Sequence, residues 1–462
     1  MCSHLCSPAQ WAQNEFAMAQ LGDSRRTQRL MKIATNLAAA PGGTLPQAFP
    51  DWAELKAAYR FFGQQGVTFD RVVAPHLERT RAVCRQPGEY LIIEDTTLLD
   101  YSHHLATEEL GRIGDGSGRG FELHSALAVR VEAWTVGHRP AGTVLGLFNQ
   151  QCDAPRPAPR GETRREQLLR PRKSQVWAAA FKAAGHPPAD SQWIYVADRE
   201  SDFYEAIQTC RQHGVDLIIR SAKNRRLAAA AGALWATVAG APVLGQAEVK
   251  LRARPGQPAR RATVNLRSVR VALDSPWRPG GKPPLLPEIG VVEVREAAPP
   301  AGVKEPLHWI LLTSLPAATL TEAQRVVGRY TARWWIEEYH KALKSGAGVE
   351  QSQLARADRL AALLAVLAVV AVRLLSAQQL ARGRPEGLEA AASFGPEMLA
   401  LLEQKLGPPP AGWNNQTVLL AVARLGGFLA RKHDGQPGWQ TIWRGWQRLM
   451  WMAEGLATLQ QE

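Results

Sequence analysis

Between Glu89 and Ile219 the chain carries a series of short apolar runs, several of them continuous rather than alternating. They are Glu89–Ile93 (EYLII), Leu123–Val131, Val144–Phe148, Trp193–Ala197 and Leu217–Ile219. A strand with one wet face alternates apolar and polar residues; a strand covered on both faces does not. Segments 174–185 and Glu200–His213 read as helices between these runs. Continuous strands separated by helical stretches predict an α/β core.

The pattern changes from 246 to 313. GQAEVKLRAR, RATVNLRSVRVALD and GVVEVRE alternate, with Pro/Gly turns between them, and LHWILLT (307–313) closes the stretch. This predicts β-hairpins with a basic outer face, inserted at about 220–313. Residues 9–70 read as short helices with Trp11, Phe16 and Leu21 as apolar points. Asp23 or Ser24 caps a helix that stops at Pro41-Gly42-Gly43, and Arg25, Arg26, Arg29 and Lys32 crowd one side of it. That side is either a small DNA-reading face or an ordinary solvated one. From Glu322 onward the chain reads as helical: a long helix to about Ser345, a buried helix near 358–377, and more helix after the 406–415 connection.

Charge narrows the partners. The chain has 55 Lys plus Arg against 42 Asp plus Glu, a net +13. Arg220–Arg270 holds eleven basic residues and only Glu248 as an acid, and Pro155–Ser174 holds seven basic residues and two acids. Two segments thus contain the whole surplus. They fit a polyanion, through phosphate contacts and counterion release, or loops that keep the protein soluble. The longest apolar run, Leu360–Val372, is thirteen residues, short of the roughly 20 of a membrane span, so no membrane partner is expected. The five cysteines are scattered without a CxxC pair, which argues against a disulfide framework or a structural zinc site. A reduced cytoplasmic setting is expected, and no secretion signal is read at the N-terminus.

Three carboxylates stand out. Asp95 (IIEDTT) and Asp198 (YVADRESD) each follow a buried run, where α/β folds place active sites. Glu337 lies in the long helical segment. At 100° per residue Tyr330, Arg333, Trp334, Glu337, Lys341 and Lys344 share one face. Three carboxylates suit two hard divalent ions about 3.5–4 Å apart, able to activate water against a phosphodiester. Each acid also has a plainer reading: a strand-end Asp is often a cap, and Glu337 with Lys341 is an ordinary helical pair. Glu94, Glu338, Glu200 and Asp202 compete for the same roles, and the spacing alone does not choose.

The segment YTARWWIEEYHKALKSG (330–346) closely resembles the YREK signature of bacterial DDE cut-and-paste transposases of the insertion-sequence-four group. The signature falls on Tyr330, Arg333, Glu337 and Lys344. The strings LGDSRRTQRL, AYRF, IEDTT, ADRESD, ARLGGF and WQTIWRGW resemble the same group in its order. The resemblance implies an α/β fold with a ribonuclease H-like catalytic core, a β-hairpin insertion, and flanking helical domains. It implies a transposon-end-binding domain over 1–70, a catalytic domain over 71–372 and a dimerisation domain over 373–462.

By the same resemblance Asp95, Asp198 and Glu337 are the catalytic and metal-binding triad, holding two Mg²⁺ (or Mn²⁺). Tyr330, Arg333 and Lys344, flanked by Lys341, hold DNA phosphates, and Arg220 and the basic hairpins lie along DNA. Trp309 receives a flipped base, with Trp334 beside the distorted step. As a plainer reading, Trp309 is a core residue of its strand. Arg25, Arg26 and Arg29 read the transposon end. The implied partners are double-stranded transposon-end and target DNA and a second protomer, with each protomer cutting the end bound mainly by the other. A nucleoid-associated location follows. The alternatives are a ribonuclease H-fold DNA nuclease or resolvase, and a non-catalytic DNA-binding regulator of transposition.

Overall fold

The computed structural model describes residues 7–134, 141–156, 161, 163, 173–228, 232–251, 258–277, 281–283, 286–303, 305–382, 396–410, 412–431, 434 and 437–459. Most of the expected basic loop at 155–174 lies outside them. Within them, ten strands join one mixed sheet. They are β1 Gly88–Asp100, β2 Gly111–Ile113, β3 Gly118–Ala133, β4 Ala141–Asp153 and β5 Ser191–Ala197, then β6 Asp216–Arg220, β7 Val243–Leu251, β8 Arg260–Val271, β9 Ile289–Glu296 and β10 His308–Thr313.

The sheet runs β2-β3-β1-β5-β6-β10-β9-β8-β7, with β4 also on β3. β3 pairs antiparallel with β1 and β4, while β1, β5 and β6 are mutually parallel. This arrangement is consistent with the ribonuclease H-like core that the resemblance implies. The continuous apolar runs have the expected cause. Leu91 and Ile93 face one hydrophobic cluster, Tyr90 and Ile92 the other, and all four are fully buried. Each such side chain stabilises the fold by roughly 1.5–3 kcal/mol through lost contact with water.

The first cluster gathers the N-terminal helices, the helix Phe69–Cys84 and the long helix Ala357–Arg382. The second gathers the helices Lys173–Ala184, Tyr204–Gln212 and Leu234–Ala239. In the N-terminal part Asp23 caps the helix Ser24–Ala39 by accepting the Arg25 N–H at 2.8 Å. Asp51 does the same for Trp52–Phe62, through Glu54 N–H.

The structure departs from expectation at three points, and one expected domain limit lies inside a helix. The alternating strands β7 to β10 continue the central sheet, because β10 pairs antiparallel with β6. The outer face of these strands is not simply basic. Arg260 pairs with buried Glu296 and Arg267 with buried Glu293, both from β9, so these cations are neutralised within the sheet. The long helix expected to Ser345 is interrupted: Leu320–Thr331 ends, Trp334–Lys341 restarts, and Ala342–Gly346 widens into a π-turn. Finally, the expected boundary at 372/373 falls inside the continuous helix Ala357–Arg382. That helix is long and apolar enough to cross a membrane, but 94% of its most apolar window is buried inside the fold.

Candidate active site

Asp95 and Asp198 are brought together by strand register. β1 and β5 run parallel, and their last paired residues are Ile93 and Val196. Two residues further along each strand stand Asp95 and Asp198, so both carboxylates share a phase of the pleat and one face. β1 continues beyond Ile93 on β3, pairing as far as Asp100. β5 instead ends at Ala197 and turns into a short 3₁₀ segment, Arg199–Ser201. Asp95 therefore lies in mid-strand, not at a strand end, and the departure of β5 opens the sheet beside it. Asp198 also meets its plainer reading, since its Oδ1 accepts the Glu200 N–H at 2.8 Å and caps the turn.

Glu337 reaches this opening from the helix Trp334–Lys341. Its link to the aspartates is Arg333, which hydrogen-bonds Glu337 through Nη2 and sits 3.3 Å from Asp95 Oδ2 through Nη1. Burial opposes the Arg333 charge. Tyr330, Glu337, Asp95 and Asp198 nevertheless hold its pKa above the ordinary value. Burial pushes the Asp95 carboxyl up to about 6; Arg333 works against this, and the negative charges of Asp198 and Glu337 add to it. Three acids and one guanidinium thus form a single electrostatic unit.

Among the described residues, no three His, Cys, Asp or Glu side chains converge closely enough to hold an ion as they stand. The donor set nevertheless fits a hard divalent cation. It consists of carboxylate oxygens, Asp95 is disfavoured as an anion by burial and by its two acidic neighbours, and a cation already bridges Asp95 and Glu337. Arg333 stands where positive charge is required.

Tyr330 is buried beside this unit. Arg220 is its hydrogen-bond partner, and burial raises the Tyr330 pKa against the pull of Arg333 and Arg220. The Trp309 ring lies 5.1 Å from the Tyr330 ring at 68°, half-buried at the start of β10. It is thus neither fully core nor free. Trp334, also half-buried, has the Arg333 guanidinium 5.9 Å from its ring centre. Lys344 donates to the Leu98 carbonyl at 2.5 Å and faces Glu350 at 3.3 Å, three residues along β1 from Asp95. Lys341 points elsewhere: its Nζ lies 3.8 Å from Glu338 on an exposed side chain. The expected helical-wheel face holds within one helix only from Trp334 to Lys341, because Tyr330 precedes the restart and Lys344 follows the widening.

Glu94 lies on the opposite face of β1, fully buried, 3.3 Å from His124 Nε2, and burial raises its pKa. His124 in turn meets Thr96 Oγ1 at 2.9 Å. Sequence reasoning missed this His124–Thr96 support behind the site; the pairing of Thr96 with His124 across β1 and β3 is the signal that reveals it. Arg25, Arg26 and Arg29 lie apart from the site. Arg25 pairs with Asp23, Arg26 donates to Leu21 O at 3.0 Å, and Arg29 pairs with Glu54.

Three family models match the chain, in this order. A transposase DNA-binding model covers residues 8–67, a transposase DDE-domain model covers 187–373, and a transposase Tn5 dimerisation-domain model covers 369–460. Asp198, Tyr330, Arg333 and Glu337 lie within the DDE match, and strand pairing adds Asp95 from upstream of it.

Proposed function

From a chain with the domain set of a DDE transposase — DNA-binding, DDE and dimerisation domains in that order — we propose a cut-and-paste enzyme of the YREK, insertion-sequence-four type. Its substrates are the inverted repeats at transposon ends and a target duplex. The observation that carries the reading is the register of Asp95 and Asp198 on adjacent parallel strands, with Glu337 joined to them through Arg333.

In this reading Asp95, Asp198 and Glu337 hold two Mg²⁺ or Mn²⁺ ions. When bound, such ions activate water and neutralise charge on the leaving oxygen of a phosphodiester. Arg333 releases the carboxylates and turns to a DNA phosphate, with Tyr330 and Arg220 beside it and Lys344 and Lys341 further along. Water nicks one strand at each end. The freed 3′-OH attacks the opposite strand to give a hairpin, a second water opens it, and the 3′-OH joins target DNA. Trp309 offers a ring for an unstacked base at the cut, with Trp334 close by; stacking returns about 1–3 kcal/mol of the flipping cost.

The N-terminal helices, with Arg25, Arg26 and Arg29, serve end recognition. We take strands β7 to β10 as the insertion of this family, and domain limits near 70 and 373. Two protomers, paired through the C-terminal helices, synapse the ends, and a nucleoid-associated location goes with this activity.

The test is single-turnover cleavage of duplexes carrying the repeats that flank the gene, with Mg²⁺. Asp95→Ala should abolish nicking while end binding survives; wild-type nicking by that variant removes the triad. Cleavage that ignores the repeat sequence would instead indicate a resolvase, and end binding without any cleavage a regulator.

A further inference from the structure

Asp202 has no part in the site described so far, yet it is one of the most heavily bonded carboxylates in the fold. Its side chain is fully buried. Oδ2 accepts the N–H groups of Ala222 and Lys223 at 2.7 and 2.9 Å, with Ser221 Oγ at 3.3 Å. Oδ1 accepts Nε and Nη2 of Arg225 at 3.1 and 2.5 Å, and Arg225 Nη2 also reaches the Asp202 carbonyl at 2.8 Å. All these donors belong to one short segment, 221–225.

That segment leaves β6 directly after Arg220. Asp202 itself ends the turn that begins with Asp198, and the turn is held from beneath by Tyr195 Oη against Ser201 Oγ at 2.6 Å. On its far side the segment grips β10: Ser221 N–H donates to Ile310 O at 2.7 Å and Arg220 Nη2 to His308 O at 3.3 Å. These two bonds bracket Trp309. One buried carboxylate therefore ties the Asp198 turn to the strand edge that presents Arg220 and Trp309.

We propose that Asp202, with Arg225, is a positioning pair that sets Arg220 and Trp309 at a fixed distance from Asp198. The inference rests on the transposase reading and deepens it. Two charge-assisted bonds from Arg225 converge on one buried carboxylate oxygen while backbone N–H groups hold the other, so the carboxylate is fixed and transmits position where a surface pair would not. Neither residue touches DNA. Their role is to keep the wall that receives phosphate and base in register with the carboxylates.

The experiment measures single-turnover nicking of end DNA, end-DNA affinity and thermal melting for wild type, Asp202→Asn, Arg225→Gln and Arg225→Lys. Arg225→Lys keeps the buried charge and removes the paired bonds, which holds the protein folded should the neutral variants fail. We expect end affinity within about twofold of wild type and nicking slowed about 10-fold or more, in protein still folded at the assay temperature. Adding Arg225→Lys to Arg220→Ala should slow nicking little beyond Arg220→Ala alone, because residues acting through one contact are not additive. Wild-type nicking by the folded single variants overturns the proposal, and so do fully multiplicative losses in the double variant. Wild-type protein that leaves end DNA uncut overturns the transposase reading itself, and the role of Asp202 with it.

Discussion

Asp95→Asn should stabilise the metal-free protein while destroying its activity. Burial, with Asp198 and Glu337 nearby, lifts the Asp95 carboxyl from its usual 3.8 to about 6 even though Arg333 opposes the rise. A folded-state pKa above the unfolded one means that the folded protein binds the extra proton between these two values. Ionisation of Asp95 therefore costs stability progressively as pH rises from about 4 through about 6, and the cost is complete near pH 7. The gap corresponds to about 3 kcal/mol. Asparagine copies the neutral acid, so at pH 7.5 the variant should gain up to about 3 kcal/mol, and at pH 4 almost nothing.

Urea unfolding of both proteins at pH 4, 5, 6 and 7.5, without and with Mg²⁺, measures this. Mg²⁺ should stabilise wild type and narrow the gap, because an ion that binds only the folded state adds stability by mass action. A gain over wild type that is the same at pH 4 and 7.5, or a variant less stable than wild type throughout, refutes the account of Asp95 as a strained anion.

Other expectations follow from the same geometry. Arg267→Ala strands Glu293, whose remaining partner is His308 at 2.9 Å, and should cost about 2–3 kcal/mol in urea unfolding, below the roughly 3–5 of a wholly unpartnered buried charge. Arg261→Ala, on an exposed pair with Glu248, should cost less than about 1 kcal/mol and reduce the salt slope of DNA binding by about 0.9 if it meets a phosphate. Arg333→Ala should weaken assembly of the cleaved complex more than it lowers the melting temperature; the reverse order would make Arg333 structural. Trp309→Ala should lower the fluorescence of a 2-aminopurine base beside the cut, and an unchanged signal would remove Trp309 from base capture.

The core was legible because burial leaves a direct mark on composition. YLII and WIYVA are apolar throughout since each is covered on both faces. The offset of 103 residues between Asp95 and Asp198 had no meaning until β1 and β5 were paired; Ile93 and Val196 share that same offset. Pairing also separates Asp95 from Glu94, which alternation sends to the other face. The helical wheel holds only from Trp334 to Lys341, because Tyr330 precedes one break and Lys344 follows the other, and the breaks at Ala332–Arg333 and Ala342–Gly346 leave no strong mark in the sequence. The basic hairpins looked unpaired because their acids, Glu293 and Glu296, lie about 26 to 36 positions away on the next strand and outside the basic window.

The helix Ala357–Arg382 has a mechanical consequence. The DDE and dimerisation matches overlap at 369–373, inside this helix, so no linker separates them. Its 26 residues make a rod about 39 Å long. A rod of that length converts a tilt of about 5° at one end into about 3 Å at the other. A displacement of this helix is therefore shared by both matched regions, because they have it in common.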